Sequence, residues 1–166
     1  MKAVSNTTPL RYLIAIDEEH LLGKLFEKVF VPVAVHDELT DPRTPESVRR
    51  RVSSLPAWFE IRTVQETQTM SFPITLHRGE REAILLAETL RADVLLIDEQ
   101  IGRTIALSRN LPLSGTLGVL ELADTMGFMS DFPQVLQRLK ASGFFITEAL
   151  EHQLLERHRT RRAAKR

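Results

Sequence analysis

Four places along the chain carry oxygen ligands near the ends of predicted strands or the starts of predicted helices: Asn6, Glu38, Glu80 with Glu82, and Asp98 with Glu99. Each has an ordinary use. Asn6 suits an Asx turn into a helix, Asp98 suits the cap of the helix after it, Glu80 and Glu82 answer a helix dipole, and Glu38 reads as a solvated helix residue. Together they point further. Two carboxylates about 4 Å apart repel by roughly 4 kcal/mol at an effective dielectric of 20, so acids gathered at one edge call for a cation between them. Oxygen-only ligands suit Mg²⁺ or Mn²⁺ better than zinc. Such an ion generates hydroxide from water and neutralises charge building on a phosphate in transit, which is the chemistry of metal-dependent phosphodiester cleavage. Cysteine is absent, and His20, His36, His77, His152 and His158 show no paired metal spacing, so surface or loop roles are expected of them.

Whether the four places converge depends on the elements that hold them. The central stretch, GEREAILLAETLRADVLLIDEQIGR from Gly79, reads as helix, short turn, buried strand and the start of another helix. Gly79 breaks the preceding segment, Glu80 and Glu82 fall in the first turn, and Ala83, Leu86, Ala87 and Leu90 recur at helical spacing. Val94, Leu95, Leu96 and Ile97 form the continuous apolar run of a parallel strand buried on both faces. It stops at Asp98 and Glu99, and in an open parallel sheet the ligand crevice lies outside the carboxyl ends of the strands.

Upstream, residues 2–5 form a short strand. Thr8 is a suitable N-cap, with Pro9 at the first helical position and Leu10, Leu13 and Ile14 as the packed stripe. A second short helix covers 21–26 and a strand 29–31. A helix over 32–40 places Val35 and Leu39 on one face and ends at Asp41-Pro42. Residues 45–54 form a polar helix with Arg49, Arg50 and Arg51, residues 58–64 an outer strand, and 65–76 a loop. Downstream, a helix continues over 102–108 and a short strand covers 111–114. A helix over 116–123 is stopped at Gly127, another begins at 131–133, and Thr147 opens the last helix. This alternation predicts an α/β fold, with helices on both faces of a mostly parallel sheet of four or five strands.

At 166 residues the chain has the size of one domain, burying roughly 70% of its unfolded surface. It is divided here into a body, 1–156, and a basic C-terminal tail, 157–166. Formal charge is zero, but six of the 22 basic residues lie in the last ten, leaving 16 against 22 acids in the body, net −6. A solvated, frayed end is the ordinary reading of the tail, and contact with nucleic acid or an acidic partner the alternative. No apolar run approaches the ~20 residues of a membrane span, and the first residues lack a signal-peptide core. A soluble, cytoplasmic protein is expected. Ser114-Gly115-Thr116 is too short for a phosphate loop, no Walker pattern exists, and the few aromatics argue against a base-stacking platform.

The segments VSNTTPL, VPVAVHDEL, GEREAILLA, VLLIDEQIGR and SGTLGVL, in this order over about residues 2–127, resemble the PIN-domain family, in the VapC-like branch that includes toxins of bacterial and archaeal toxin–antitoxin pairs. The resemblance implies a Rossmann-like three-layer α/β/α sandwich, an acidic site dependent on Mg²⁺ or Mn²⁺, RNA as substrate and an antitoxin as partner, with homodimerisation also implied. Carried over, the acid after the first strand falls on Asn6 and the helical glutamate on Glu38. The acid of the central helix falls on Glu82, with Glu80 competing, and the last on Asp98 or Glu99. Thr8 matches a hydroxyl residue that orients a ligand or water, and Thr116 is a second candidate. In this resemblance Arg49–Arg51 offer a basic face for RNA phosphates.

The departure is Asn6, where aspartate is usual. Either Glu38, Glu82 and Asp98 sustain cleavage, or the domain is an interaction module that no longer cleaves. A receiver-type phosphoacceptor is a distant third reading, disfavoured because no acidic pair stands near the first strand.

Overall fold

The apolar runs at 3–4, 29–31 and 95–97 have no polar alternation and can only be satisfied between two layers. In the computed structural model, which describes residues 1–65 and 71–165, they are the middle of one five-stranded sheet. The strands are β1 Lys2–Ser5, β2 Lys28–Pro32, β3 Phe59–Arg62, β4 Val94–Leu96 and β5 Leu113–Ser114, ordered β3-β2-β1-β4-β5 with every pairing parallel. The helices are α1 Thr7–Ala15, α2 His20–Leu25, α3 Val33–Thr40, α4 Glu46–Val52, α5 Arg78–Leu90, α6 Gln100–Ser108, α7 Thr116–Thr125, α8 Phe132–Ala141 and α9 Glu148–Ala164. The α/β sandwich expected from the alternation is the fold observed. The segment 66–70, part of the expected loop over 65–76, lies outside the described residues.

Side-chain alternation divides the strands between two cores. Ala3, Val29, Val31 and Leu96 pack with Leu10, Leu13, Val119, Leu120, Phe132 and Leu136 on one face; Val4, Phe30, Leu95 and Ile97 pack with Ala83, Ile84, Leu86 and Ala106 on the other. Each fully buried aliphatic chain contributes about 1.5–3 kcal/mol, so these layers hold the sheet edge rigid. Among the described residues no helix is long and apolar enough to cross a membrane.

Several local expectations are corrected. Helix α1 starts at Thr7 with Asn6 as N-cap, so Thr8 lies inside its first turn and Pro9 two positions beyond the first helical residue. Proline is tolerated there because the first-turn N–H groups have no partner within the helix. Gly79 is no breaker: α5 begins at Arg78, capped by a reciprocal bond pair in which the His77 amide donates to Glu80 Oε2 at 2.9 Å. The basic end is largely the second half of α9, not a frayed run. Arg157 donates to both Glu121 oxygens, Arg161 to Asp124 and Glu121, and Lys165 to the Thr125 carbonyl. His158, expected at the surface, is buried, stacked on Phe132 and bonded through Nδ1 to Asp124 at 2.9 Å.

Candidate functional site

Because every strand is parallel, all five carboxyl ends open on one edge, where the helices that follow β1, β2, β4 and β5 begin. Helix α5 precedes β4 and runs back against it, so its first turn also reaches this edge. The topology thus brings Asn6, Glu38, Glu80, Asp98 and Glu99 to one place.

Asn6 follows β1, its amide N–H bonded to the Leu96 carbonyl at 2.9 Å. Its side chain is buried and makes no cap bond to α1; instead Nδ2 donates to Glu99 Oε2 at 3.0 Å. Thr8 Oγ1 donates to the other Glu99 oxygen, and Thr7 Oγ1 to Glu38 Oε2. Asp98 caps not the helix that follows it but a different one. Its Oδ1 accepts from the Thr116 amide at 2.9 Å and its Oδ2 from Thr116 Oγ1 at 2.6 Å, serving the start of α7. A carboxylate there meets both unpaired N–H groups and the positive end of the dipole.

Glu80 and Glu82 part company. Two residues apart on a helix, they point about 200° from one another. Glu80 faces the edge. Glu82 is buried on the other side, its Oε2 accepting from the Ala34 amide at 3.2 Å and its Oε1 from Arg78 Nε at 2.7 Å. Pro32, the N-cap of α3, has no side-chain acceptor, and Glu82 supplies one from α5. The carboxylates brought together are Glu38, Glu80, Asp98 and Glu99; Glu82 is held apart from them.

Three glycines seat this cluster. A Cβ on Gly79 would come within 2.5 Å of Glu38 Oε1, one on Gly102 within 2.5 Å of Ile97 Cδ1 and 3.0 Å of Glu80 Oε1, and one on Gly115 would overlap Asp98 Oδ1. All three lie at the starts of helices, in the first turns of α5 and α6 and at the N-cap of α7. Glycine within a helix costs about 1 kcal/mol against alanine, which was the signal available in the sequence.

Electrostatics set the edge apart. Burial pushes the Glu80 carboxyl above its ordinary 4.5, the His77 amide opposes this, and Glu99 and Glu38 push it further up. Burial likewise raises Asp98 above 3.8 against its two bonds from Thr116; Glu99 adds to the rise, and Arg103 opposes it. A cation would relieve both. The donors, carboxylate and hydroxyl oxygens with one amide, have the hardness that Mg²⁺ or Mn²⁺ favours. As the side chains stand, no three acids or histidines among the described residues draw close enough to enclose an ion. Thr7, Thr8 and Thr116 donate hydroxyl bonds to oxygens of Glu38, Glu99 and Asp98. The set fits a hard divalent ion in chemistry and in its unrelieved charge.

The arginines of α4 are not a free basic face. Arg51 pairs with Glu19 at 2.8 Å, Arg50 with Glu46 at 2.6 Å, and Arg49 donates to the Thr44 carbonyl at 3.0 Å. The cation that does stand at the edge, Arg103, was not singled out in the sequence beyond its place in the motif VLLIDEQIGR.

Comparison with known proteins follows the same line. A family model described as DUF3368, a PIN domain, matches residues 2–160. A solved structure of a PilT N-terminus domain protein, SSO1118 from the hyperthermophilic archaeon Sulfolobus solfataricus P2, is 16% identical, covering 72% of this chain and 90% of that one, with a TM-score of 0.49. No curated protein matches the chain.

Proposed function

The chain belongs to the PIN-domain family, whose members are generally nucleases, and from that premise we propose that it is a divalent-metal-dependent ribonuclease, the toxin of a toxin–antitoxin pair. The observation that carries the reading is the edge cluster, where Glu80 and Asp98 are held above the ordinary carboxylate range by burial, with Glu99 acting on both. A buried and a half-buried carboxylate with a further carboxylate beside them at the carboxyl edge of a parallel sheet are an arrangement that binding a divalent cation would stabilise, and this supports the reading. Glu38, Glu80, Asp98 and Glu99 would hold the ion. When bound, it supplies an activated water and neutralises charge on the scissile phosphate.

The remaining residues position these four. Thr116 fixes the Asp98 carboxylate in the plane set by its two bonds, and Asn6 with Thr8 fixes Glu99. Glu82 works at one remove, holding α3, and with it Glu38, against α5. The toxin role, the antitoxin and a second copy as partner rest on the resemblance carried by the five sequence motifs.

One observation favours a second reading. Asn6 spends its amide on Glu99, so the residue that replaces the usual aspartate quiets the cluster instead of adding a charge to it. In that reading the domain binds partners without cleaving. One experiment separates the two: cleavage of single-stranded and structured RNAs with Mn²⁺, for the wild type, the Asp98→Ala, Glu38→Ala double variant and Asn6→Asp. Loss of the ion's charge stabilisation should lower cleavage in the double variant about a hundredfold or more. Asn6→Asp should raise it. Equal cleavage by wild type and double variant, or none by any folded protein, sinks the ribonuclease.

A further inference from the structure

The edge that would receive RNA is almost entirely acidic, yet its substrate is a polyanion. A bound ion offsets part of that charge; the side chains must offset the rest. Arg103 is placed to do so. It lies one turn into α6, and its side chain reaches back toward the helix start, where Nη1 donates to the Ile97 carbonyl at 2.8 Å, one residue beyond β4. The same nitrogen stands 3.4 Å from where a Cβ on Gly115 would lie, beside the Asp98 carboxylate, whose proton affinity it lowers. No carboxylate among the described residues pairs with it within ion-pair distance; its one bond there is to a backbone carbonyl. Of the other cations near the strand ends or first turns, Arg78 pairs with Glu82 and Arg62 with Glu60, while Arg81 donates to the Leu76 carbonyl and its Nε is enclosed by the protein.

Resting on the nuclease reading, we propose that Arg103 forms an anion subsite at the rim of the acid cluster and takes a phosphate oxygen of the RNA backbone. A guanidinium has five N–H donors in a planar fork that matches phosphate geometry, and here one nitrogen is anchored to Ile97, which fixes the plane while leaving the other donors for a ligand. The cluster is thereby zoned. Glu99 is held by Asn6 and Thr8 on the β1 side, and Asp98 with Arg103 forms the β5 side, so the phosphodiester enters with its anionic oxygens toward β5. Arg103 is on this account a substrate-binding residue and not an ion ligand.

The test is RNA binding in EDTA, read by fluorescence anisotropy of a labelled single-stranded oligoribonucleotide across a series of salt concentrations, for wild type, Arg103→Gln and Arg103→Lys. Loss of one charge-assisted contact should weaken binding about tenfold in Arg103→Gln. The slope of log K against log salt should fall by about 0.7, the value for one phosphate contact on a single strand. Arg103→Lys should keep the slope and lose affinity, since the point charge remains while the fork does not. Unchanged affinity and slope in folded Arg103→Gln, or no RNA binding by the wild type at low salt, overturns the assignment. A rise in melting temperature with Mn²⁺, measured on the same proteins, should persist in Arg103→Gln. Its absence from the wild type would count against the ion site alone, and its loss only in the variant would show that Arg103 serves Asp98 and overturn the subsite.

Discussion

Acids meet both ends of α7, one half-buried and one buried, and the protein treats them in opposite ways. At the start, Asp98 caps the helix among like charges, and its carboxyl is raised. About 12 Å along the axis, by the rise of eight residues, Asp124 is pressed between α7 and α9. Burial pushes it up too, but bonds from His158 and Arg161 outweigh burial and hold it below 3.8; Glu121 is held below 4.5 by Arg157 and Arg161 against the same penalty. The same residue types thus serve two ends. Where cations are supplied, the acids fasten one helix to another; where they are withheld, the acids wait for something from outside.

The comparison is most sharply tested by removing an acid from each set. Asp124→Ala strips the acceptor from the buried His158 and one of two acceptors from the half-buried Arg161, and should cost about 3 kcal/mol in urea denaturation, as breaking a buried ion pair does. The Mn²⁺-induced rise in melting temperature should be untouched. A loss below about 1 kcal/mol would mean that the α7–α9 network contributes little.

Next come the two glutamates of α5. Glu82→Ala removes the acceptor of the buried Ala34 amide and one interaction of Arg78 and should destabilise by about 2 kcal/mol with the ion response intact. Glu80→Gln should do the reverse, stabilising the ion-free protein by about 1 kcal/mol through relief of like charge while weakening the ion response. If both variants behave alike, the division of α5 into a structural and a functional face is wrong.

The smallest effect is on pH dependence. Glu80 and Asp98 have raised values, so they favour the folded state while protonated, and that contribution is lost as pH rises through those values. Glu121 and Asp124 have lowered values; they stabilise above their ordinary 4.5 and 3.8 and lose that contribution as pH falls below. Acidifying the ion-free protein from neutral should therefore raise stability slightly, by of order 1 kcal/mol, before it falls below about pH 4. Mn²⁺ should flatten the rise, because the ion competes with those protons. A monotonic fall from pH 7, followed by thermal denaturation, would deny the edge its unrelieved charge.

The fold was legible because the apolar runs at 29–31 and 94–97 admit only a doubly covered parallel strand, and because Asn6 and Asp98 sit where such strands end. The choice between Glu80 and Glu82 was not, since it turns on helix phase, and a shift of two residues, about 200°, exchanges which of them faces the edge. Asp98's partner was hidden for a different reason: Thr116 lies eighteen residues on, across β5, and only the parallel register brings it back. His158 was misread because it sits within a run of arginines, where composition suggests solvent, although helical spacing places it on the same face of α9 as Leu154 and Arg161.

The seating of Glu38, Glu80 and Asp98 on Gly79, Gly102 and Gly115 has a genetic consequence. A screen for chains that have lost activity while still accumulating should return small side chains at Gly79 and Gly115 alongside changes at the acids themselves. At these two glycines the added methyl group displaces a carboxylate from its seat, whereas at Gly102 it also meets the core side chain of Ile97, 2.5 Å from its Cδ1, so stability falls together with activity. Suppressors of such lesions should arise at the acid facing the altered glycine and not elsewhere, so that each glycine and its acid behave as one locus.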